Sequence, residues 1–420
     1  MGETRDDGVS GEPVAGTTHR LPSPVDAVGA AVGPIYRTGR YYADSWREFL
    51  HPESPELPIA RPTLALAVHA LRDEVALLGL RARRPVSDVE VFKRIESEVT
   101  EALEVFDERG WLEHPARYFA RPPRLSTITT HPVNSFGRRY ERFTFESGYR
   151  PRPEEPGAQR WLNYSACKQV YGLMLRHEVD RPWLICVHGA EMGRAALDLT
   201  VFRAWHLHKD LNVNVVLPVL PMHGPRGRGL PRGTVYPGED LLDTVHATAQ
   251  AVWDIRRLLR WIRAQQPTSP VGMYGISLGG YVSGLVASLE PGLTCAMLGV
   301  PVADLIAVLG RHSGLREDDP RRRTVELAEP IGRMTSPLAM KPRVPLRGRF
   351  IYAGIADQLV HPRDQVVRLW QHWGEPEIHW YRGGHTGFIQ ARPVEEFVDA
   401  ALIQSGLLDG PEPTPAGLTG

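Results

Sequence analysis

From about residue 139 to residue 404, short apolar runs alternate with longer amphipathic stretches. The apolar runs are typical of buried strands, and the amphipathic stretches between them predict helices. This alternation favours right-handed crossovers and therefore a mostly parallel, doubly wound sheet of the α/β class. The strands predicted in this region are residues 183–187, 213–217, 271–274, 294–300, 349–353 and 377–381.

A different pattern precedes these runs. Between residues 139 and 147 the aromatic residues Tyr140, Phe143 and Phe145 are interspersed with polar residues, and residues 168–175 form a second extended run. Alternation with a period of two predicts half-buried antiparallel strands, which would lie at the edge of the parallel sheet.

The first third of the chain has helical periodicity instead. Amphipathic stretches at 41–50, 62–80 and 89–107 predict an N-terminal helical extension over residues 31–125, followed by the α/β domain over 126–405. Such an extension is too small to bury a core alone. We expect it to pack on the rest of the protein or to form a homo-oligomer. Residues 1–30 and 406–420, rich in Gly and Pro, are predicted to be flexible tails.

Composition narrows the class of protein further. The formal net charge is zero, which gives no reason to expect nucleic acid or an anionic membrane as a partner. The longest apolar window, residues 64–80, contains His69, Arg72, Asp73 and Glu74 and is too polar to span a bilayer. The N-terminus has no basic region followed by an apolar stretch, and the three cysteines have no pairing pattern. These features predict a cytoplasmic protein.

A glycine-flanked serine follows the predicted strand 271–274. Residues 275–279 read Gly-Ile-Ser-Leu-Gly, a G-x-S-x-G pattern, and a helical stretch follows. In this pattern the serine lies on a sharp strand-to-helix turn, where only glycine tolerates the crowding on either side. The turn exposes the hydroxyl, and the amides of the following helix face the negative charge that develops during attack. Although a turn without chemistry could have the same sequence, its position between a strand and a helix favours Ser277 as a nucleophile.

A serine nucleophile needs an adjacent base. His385 follows the predicted strand 377–381 through two glycines, in a flexible loop that would let its imidazole reach the serine. Three other histidines are weaker candidates: His379 lies within that strand, and His361 and His372 flank a predicted surface helix.

The base in turn needs an acid to orient it. Asp357 follows the predicted strand 349–353, at the strand end where a parallel sheet delivers residues to a site. Asp304 follows the preceding strand and competes with it, whereas Asp364 is better placed to cap a helix.

The order Ser277, Asp357, His385 resembles the catalytic triad of the α/β-hydrolase fold family. The resemblance covers about residues 143–404. A further match is the run Cys-Val-His-Gly-Ala at 186–190, which is similar to the oxyanion loop after the third strand of that family. The resemblance implies that the N–H groups of Leu278 and Ala190 hold the oxyanion, with Glu191 as an alternative to Ala190. It also implies that no cofactor is needed.

Other residues near these loops are candidates for binding substrate. His188 and Gly189 belong to the oxyanion loop, and Arg226, with Arg228, could bind a carboxylate or phosphate of the substrate. Arginines that only fix a polar loop are the alternative. His188 and His223 lack the spacing of a zinc site, so no metal is predicted. No phosphate-binding glycine motif is present, so nucleotide binding is not indicated.

The segment 304–346 interrupts the alternation of strands and helices. It is apolar near both ends and charged in the middle, and it is long for a connection. Many members of the family insert a lid here, between their sixth and seventh strands. The resemblance therefore implies a flap whose inner side, including Met334, lines an acyl pocket for medium or longer chains. Ordinary core packing of these apolar residues is the alternative.

These patterns predict a serine hydrolase that acts on a small-molecule or lipid-like ester or related acyl bond. The same residues could also support acyl transfer, lactone opening or peptide cleavage. A non-catalytic binding scaffold is the alternative of a different class.

Overall fold

The computed structural model of the protein describes residues 24–51, 57–58, 61–83, 89–135, 137–316 and 318–409. Most of the two predicted tails therefore lies outside the described residues. The first helix already begins at residue 24, within the predicted N-terminal tail.

Three helices form the N-terminal extension: α1 (Pro24–Leu50), α2 (Leu64–Arg83) and α3 (Val89–Glu108). An ion pair of 2.5 Å between Arg37 and Glu74 joins α1 to α2. Helix α3 buries an apolar stripe spaced three and four residues apart, as an amphipathic helix on a protein core does. The stripe consists of Phe92, Ile95, Val99, Ala102 and Phe106. The extension thus packs on the body of its own chain.

The body is built on one nine-stranded sheet with the order β1-β2-β3-β5-β4-β6-β7-β8-β9. Its strands are β1 (Thr129–Ser135), β2 (Arg138–Glu146), β3 (Gln169–Leu175), β4 (Trp183–Val187), β5 (Asn214–Pro218), β6 (Val271–Ile276), β7 (Cys295–Gly299), β8 (Arg349–Gly354) and β9 (Glu377–Tyr381). Strands β1 to β3 are antiparallel, β3 also pairs antiparallel with β5, and the other pairs are parallel. The predicted mostly parallel sheet with an antiparallel edge is confirmed, with β1 as an unpredicted addition.

Helices cover both faces of this sheet, so the doubly wound prediction is confirmed as well. The helices after the extension are α4 (Ala158–Leu162), α5 (Ala195–Val201), α6 (Ala204–Lys209), α7 (Leu241–Gln265), α8 (Leu278–Leu289), α9 (Leu305–His312), α10 (Arg322–Leu327), α11 (Glu329–Met334), α12 (Arg368–His372) and α13 (Arg392–Gln404). Alternate residues of each central strand enter one of two apolar cores. One core contains α3, α7 and α8, and the other contains α5, α6 and α13.

Hydrophobic periodicity predicts one continuous helix over residues 194–209 and another over 363–373. In the first stretch Arg203 adopts a left-handed conformation with φ of 49° and separates α5 from α6. The stretch 363–373 begins with a wider helical turn at Pro362–Val367 before α12. Hydrophobic periodicity alone does not detect such local changes in backbone conformation.

The carboxyl ends of β4, β6, β8 and β9 lie at the same edge of the sheet because these strands are parallel. The loops that follow these strands contain the oxyanion-loop residues, Ser277, Asp357 and His385. The connection between β7 and β8 forms α9, α10 and α11. Within the described ranges, no helix combines the length and apolar character needed to cross a membrane.

Candidate active site

Ser277 lies on a strained turn between β6 and α8. Its φ of 55° and ψ of −115° are unfavourable for a residue with a Cβ atom. The turn is tight because its glycines allow backbone to approach closely. A Cβ on Gly275 would lie 2.2 Å from the carbonyl oxygen of Gly279, and one on Gly279 would lie 1.9 Å from that of Val187. Any larger residue at either position would push the turn apart.

A chain of hydrogen bonds joins Ser277, His385 and Asp357. The Nε2 atom of His385 lies 3.0 Å from the Oγ atom of Ser277, and its Nδ1 atom lies 2.7 Å from Oδ2 of Asp357. With a proton on Nδ1, the imidazole donates to Asp357 and leaves Nε2 to accept the serine proton. This is the geometry that a serine nucleophile, a general base and an orienting acid require.

The loop after β8 fixes the second oxygen of Asp357. Oδ1 accepts hydrogen bonds from the backbone N–H groups of Leu359, at 2.9 Å, and Val360, at 2.8 Å. The carboxylate is 1% exposed, so both of its oxygens are held by protein groups rather than by solvent. This arrangement leaves Oδ2 directed at His385.

The competing acids occupy other positions. Asp304 caps helix α9 by accepting a hydrogen bond from the N–H of Ala307, and it also pairs with Arg368 at 3.4 Å. Asp364 pairs with Arg311 and with His361. The structure therefore brings Asp357, and not Asp304 or Asp364, into contact with His385.

The competing histidines also have other partners. The ring of His379 in β9 stacks on Phe397 of α13, with 5.4 Å between the ring centroids. Nε2 of His372 lies 3.0 Å from the carbonyl oxygen of Met340. His385 is the histidine that contacts Ser277.

Charges around His385 favour its protonated form. Burial opposes the positive charge, but the charge of Asp357, its hydrogen bond to Nδ1 and the charge of Asp73 outweigh this effect and raise the pKa of His385 above its ordinary value. The site thus stabilises the imidazolium ion that forms when His385 takes a proton.

The resemblance predicts that the N–H groups of Leu278 and Ala190 bind an oxyanion, and Leu278 directly follows Ser277 in the chain. Leu278 is the first residue of α8, where N–H groups have no partner within the helix. Within the described ranges, neither the N–H of Leu278 nor that of Ala190 donates a hydrogen bond. Gly189 lies close by, since a Cβ there would be 3.4 Å from Cβ of Ser277. The oxyanion loop and the nucleophile are therefore neighbours, as the resemblance implied.

His188 shapes this loop rather than facing a substrate. Its Nδ1 atom lies 2.7 Å from the carbonyl oxygen of Gly189, and its Nε2 atom accepts the N–H of Leu220 at 3.0 Å. The side chain is 1% exposed, and burial lowers its pKa to about 4. A neutral ring with both nitrogens bonded holds the ends of β4 and β5 together. It has no nitrogen left for a substrate, so the prediction that His188 binds one is wrong.

The structure also contradicts two further predicted substrate contacts. Arg226 is 1% exposed, pairs with Asp254 at 2.8 Å and donates to the carbonyl oxygens of Val219 and Cys167. Its guanidinium therefore forms hydrogen bonds with buried protein groups and is not exposed to a substrate. Met334 is also 1% exposed and lies in the core that contains α3, α7 and α8. The expectation of a long acyl pocket rested partly on Met334, and this position in the core removes that support.

Sequence patterns missed one residue near the triad. Asp73 of α2 is 2% exposed. Its Oδ2 atom accepts hydrogen bonds from the backbone N–H groups of His385, at 2.8 Å, and of Gln358, at 3.0 Å. It stands in the polar run Arg-Asp-Glu at 72–74, which resembles the solvated face of a helix. No local signal distinguishes it from its neighbours.

Metal ligands are not clustered in the part of the chain that the structure describes, where no group of three or more His, Cys, Asp or Glu side chains could hold an ion. The three cysteines, Cys167, Cys186 and Cys295, are free and buried.

Two relatives from Mycobacterium tuberculosis match nearly the whole chain. The uncharacterized protein MT2702 (strain CDC 1551 / Oshkosh) and the uncharacterized protein Rv2627c (strain ATCC 25618 / H37Rv) are each 63% identical over 392 residues, which is 93% of this chain and 94% of theirs. No protein-family model matches the chain.

Similar solved structures are more distant. An acetyl xylan esterase from Paenibacillus sp. R4 is 14% identical and aligns over 70% of this chain and 99% of its own, with a TM-score of 0.49. Acetyl xylan esterase 1 from Thermoanaerobacterium sp. JW/SL YS485 is 17% identical over 72% of this chain and 94% of its own, with a TM-score of 0.48. Likeness at this level does not extend to activity or substrate.

Proposed function

The chain belongs to the same protein family as these two mycobacterial proteins, and we propose that it is a serine hydrolase that cleaves an ester or related acyl bond. The observation that carries this proposal is the chain of hydrogen bonds from Ser277 through His385 to Asp357. It lies at the carboxyl edge of the mostly parallel sheet, next to the N–H of Leu278, for which the described residues provide no hydrogen-bond acceptor.

The first half of the proposed reaction forms an acyl-enzyme. Oγ of Ser277 attacks the substrate carbonyl while Nε2 of His385 takes its proton. The oxygen of the tetrahedral intermediate, now negative, accepts hydrogen bonds from the N–H groups of Leu278 and Ala190. His385 then returns the proton to the leaving group as the bond to it breaks, and the acyl group stays on Ser277.

The second half repeats these steps with water. His385 takes a proton from water, which attacks the acyl carbonyl, and the proton passes to Oγ as the acid product leaves. Asp357 holds the imidazole in the reactive tautomer throughout and stabilises its positive charge. An alcohol or amine in place of water would make the product of an acyl transfer.

The experiment combines covalent labelling with a panel of p-nitrophenyl esters. We expect a fluorophosphonate to label the wild-type protein at Ser277, and Ser277→Ala to lose labelling and to lower kcat by about 10⁴-fold or more. Ser283→Ala is the matched control because Ser283 is a buried serine of α8 whose Oγ has no hydrogen-bond partner among the described residues. This variant should keep both labelling and turnover.

Two results would count against the proposal. Ester turnover retained by Ser277→Ala would show that another residue is the nucleophile. A wild-type protein that neither reacts with the phosphonate nor turns over any ester, thioester, lactone or peptide substrate would favour a binding scaffold. Product analysis with added alcohols separates hydrolysis from acyl transfer.

A further inference from the structure

One carboxylate of the N-terminal extension contacts both loops that carry the proposed base and acid. Oδ2 of Asp73 accepts the backbone N–H of His385 itself and the N–H of Gln358, the residue after Asp357. These two hydrogen bonds span 312 and 285 positions of the chain. A single oxygen atom of α2 therefore bridges the loop after β8 and the loop after β9, which a backbone hydrogen bond from the N–H of Ala356 to the carbonyl oxygen of Gly383 also joins, at 3.0 Å.

The loop after β9 has the shape needed to receive this carboxylate. A Cβ atom on Gly384 would lie 2.6 Å from Oδ2 of Asp73 and 2.8 Å from its Cγ and Oδ1 atoms. No side chain fits there while Asp73 is in place. Gly384 has no positive φ that would require glycine, so close approach of the carboxylate is the reason that remains.

Asp73 also brings a second negative charge to the imidazole. Burial, and repulsion from Asp357, raise the pKa of Asp73 to about 6, against the effects of His385 and of the two N–H groups. Throughout the part of the chain that is described, no lysine or arginine pairs with it. The titratable and charged groups around Asp73 are Tyr41 of α1, Tyr381 of β9, Asp357, His385 and the ion pair of Glu74 with Arg37.

Burying the negative charge of Asp73 beside that of Asp357 is unfavourable, so other interactions must offset this cost. Two charge-assisted hydrogen bonds offset part of the cost. The rest is recovered when His385 becomes positively charged, because two carboxylates then face one imidazolium. That state arises during turnover, and at equilibrium it occurs between the raised pKa of His385 and about pH 6, where Asp73 is still ionised.

We propose that Asp73 is a positioning residue that completes the active site from the helical extension. It holds His385 at its backbone, and its charge stabilises the protonated imidazole. The inference rests on the proposed function, and it makes the extension a part of the catalytic unit rather than an appendage.

Two substitutions in the full-length protein separate the hydrogen bonds from the charge. Asp73→Asn keeps an oxygen that can accept both N–H groups and removes the charge. Asp73→Ala removes both. Glu74→Gln is the matched control, because Glu74 is the next residue of the same helix, is also buried and pairs with Arg37 away from the triad loops.

We expect distinct results from the three variants. For Asp73→Asn, kcat should fall about tenfold with KM little changed, and the acidic limb of kcat/KM should move to lower pH by about one unit because His385 loses a stabilising charge. That limb should also simplify from two coupled ionisations to one. Asp73→Ala should lower kcat by a further factor of about ten or more, since two buried N–H groups lose their acceptor. Glu74→Gln should keep the wild-type profile.

A purely structural role for Asp73 predicts something else. Melting temperatures would fall while the pH profile and kcat of each folded variant stayed at wild-type values, and that outcome overturns the proposal. If Asp73→Ala does not fold, Asp73→Asn still decides, because it preserves the hydrogen bonds.

A second measurement is independent of turnover. NMR of protein labelled at histidine gives the pKa of His385, with its signal assigned by its loss in His385→Gln. We expect that pKa to be lower in Asp73→Asn than in the wild type, and an equal value would contradict the inference. This result stands even if no ester is hydrolysed, so failure of the proposed function and failure of this inference remain distinguishable.

Discussion

Replacing Asp357 with asparagine tests the proposed acid, because the structure constrains how an amide can sit there. Oδ1 of Asp357 accepts hydrogen bonds from two backbone N–H groups, and Oδ2 accepts a hydrogen bond from the Nδ1–H group of His385. An asparagine has one oxygen and one NH₂ group to fill these two places.

The amide has two orientations, and the structure favours the inactive one. If its oxygen faces His385, its NH₂ group faces the N–H groups of Leu359 and Val360 and leaves both without an acceptor. Each buried donor left unpaired costs roughly 1–3 kcal/mol. If the NH₂ group faces His385, each neighbouring group keeps a hydrogen-bond partner. In that case Nδ1 of His385 must accept a hydrogen bond from the amide, so the imidazole proton lies on Nε2.

A proton on Nε2 prevents His385 from accepting the proton of Ser277. Even the smaller estimate, about 2 kcal/mol for two donors, gives this tautomer a preference of roughly 30-fold. The lost charge further weakens the imidazolium ion. We therefore expect kcat to fall by up to about 10⁴-fold for Asp357→Asn, with the melting temperature nearly unchanged.

The assay is hydrolysis of a p-nitrophenyl ester at saturating substrate, with thermal unfolding of the same preparation. Asp304→Asn is the control, because Asp304 caps α9 and an asparagine caps a helix almost equally well. It should keep wild-type kcat. An active Asp357→Asn variant together with an inactive Asp304→Asn variant would show that Asp304, and not Asp357, is the acid.

Three further predictions concern stability. Arg226→Ala should lower the free energy of unfolding measured in urea by roughly 3–5 kcal/mol, because it leaves the carboxylate of Asp254 buried without its positively charged partner. A double variant, Arg226→Met with Asp254→Leu, should recover much of this loss. Gly279→Ala should fail to give folded protein, because its Cβ would lie 1.9 Å from the carbonyl oxygen of Val187; a soluble, active variant would contradict this. Burial raises the pKa of Asp198 to about 6. Because the pKa of Asp198 is higher in the folded than in the unfolded protein, its protonated form contributes stability that is fully present below about pH 4 and is lost as the pH rises through 6. Asp198→Asn should therefore flatten the dependence of the free energy of unfolding on pH between pH 4 and 8.

Much of the fold could be predicted from hydrophobic periodicity. Periodicity predicted the three helices of the extension and eight of the nine strands, most of them within one or two residues of their observed ends. These features follow from interactions between residues close in sequence, such as the apolar stripe of α3 and the glycines around Ser277. Strand β1 was missed because its side chains are mostly exposed and lack an apolar alternation.

The identity of the site residues was only partly determined in this way. Ser277 and His385 stand in local patterns that predict their roles, and the catalytic roles themselves stay predictions. The sequence favoured Asp357 over Asp304, although each follows a strand of the same sheet. The tertiary structure shows the difference between them directly, since Asp357 contacts His385 and Asp304 caps a helix.

Tertiary structure alone also decided which polar side chains face the triad. Arg226 looked available for a substrate but neutralises Asp254, which is 28 positions away. Asp73 looked like a solvated helix residue but is buried against loops about 300 positions away. Burial and hydrogen bonding between such distant residues depend on how helices and strands pack, and local sequence rules record only the neighbours of each residue.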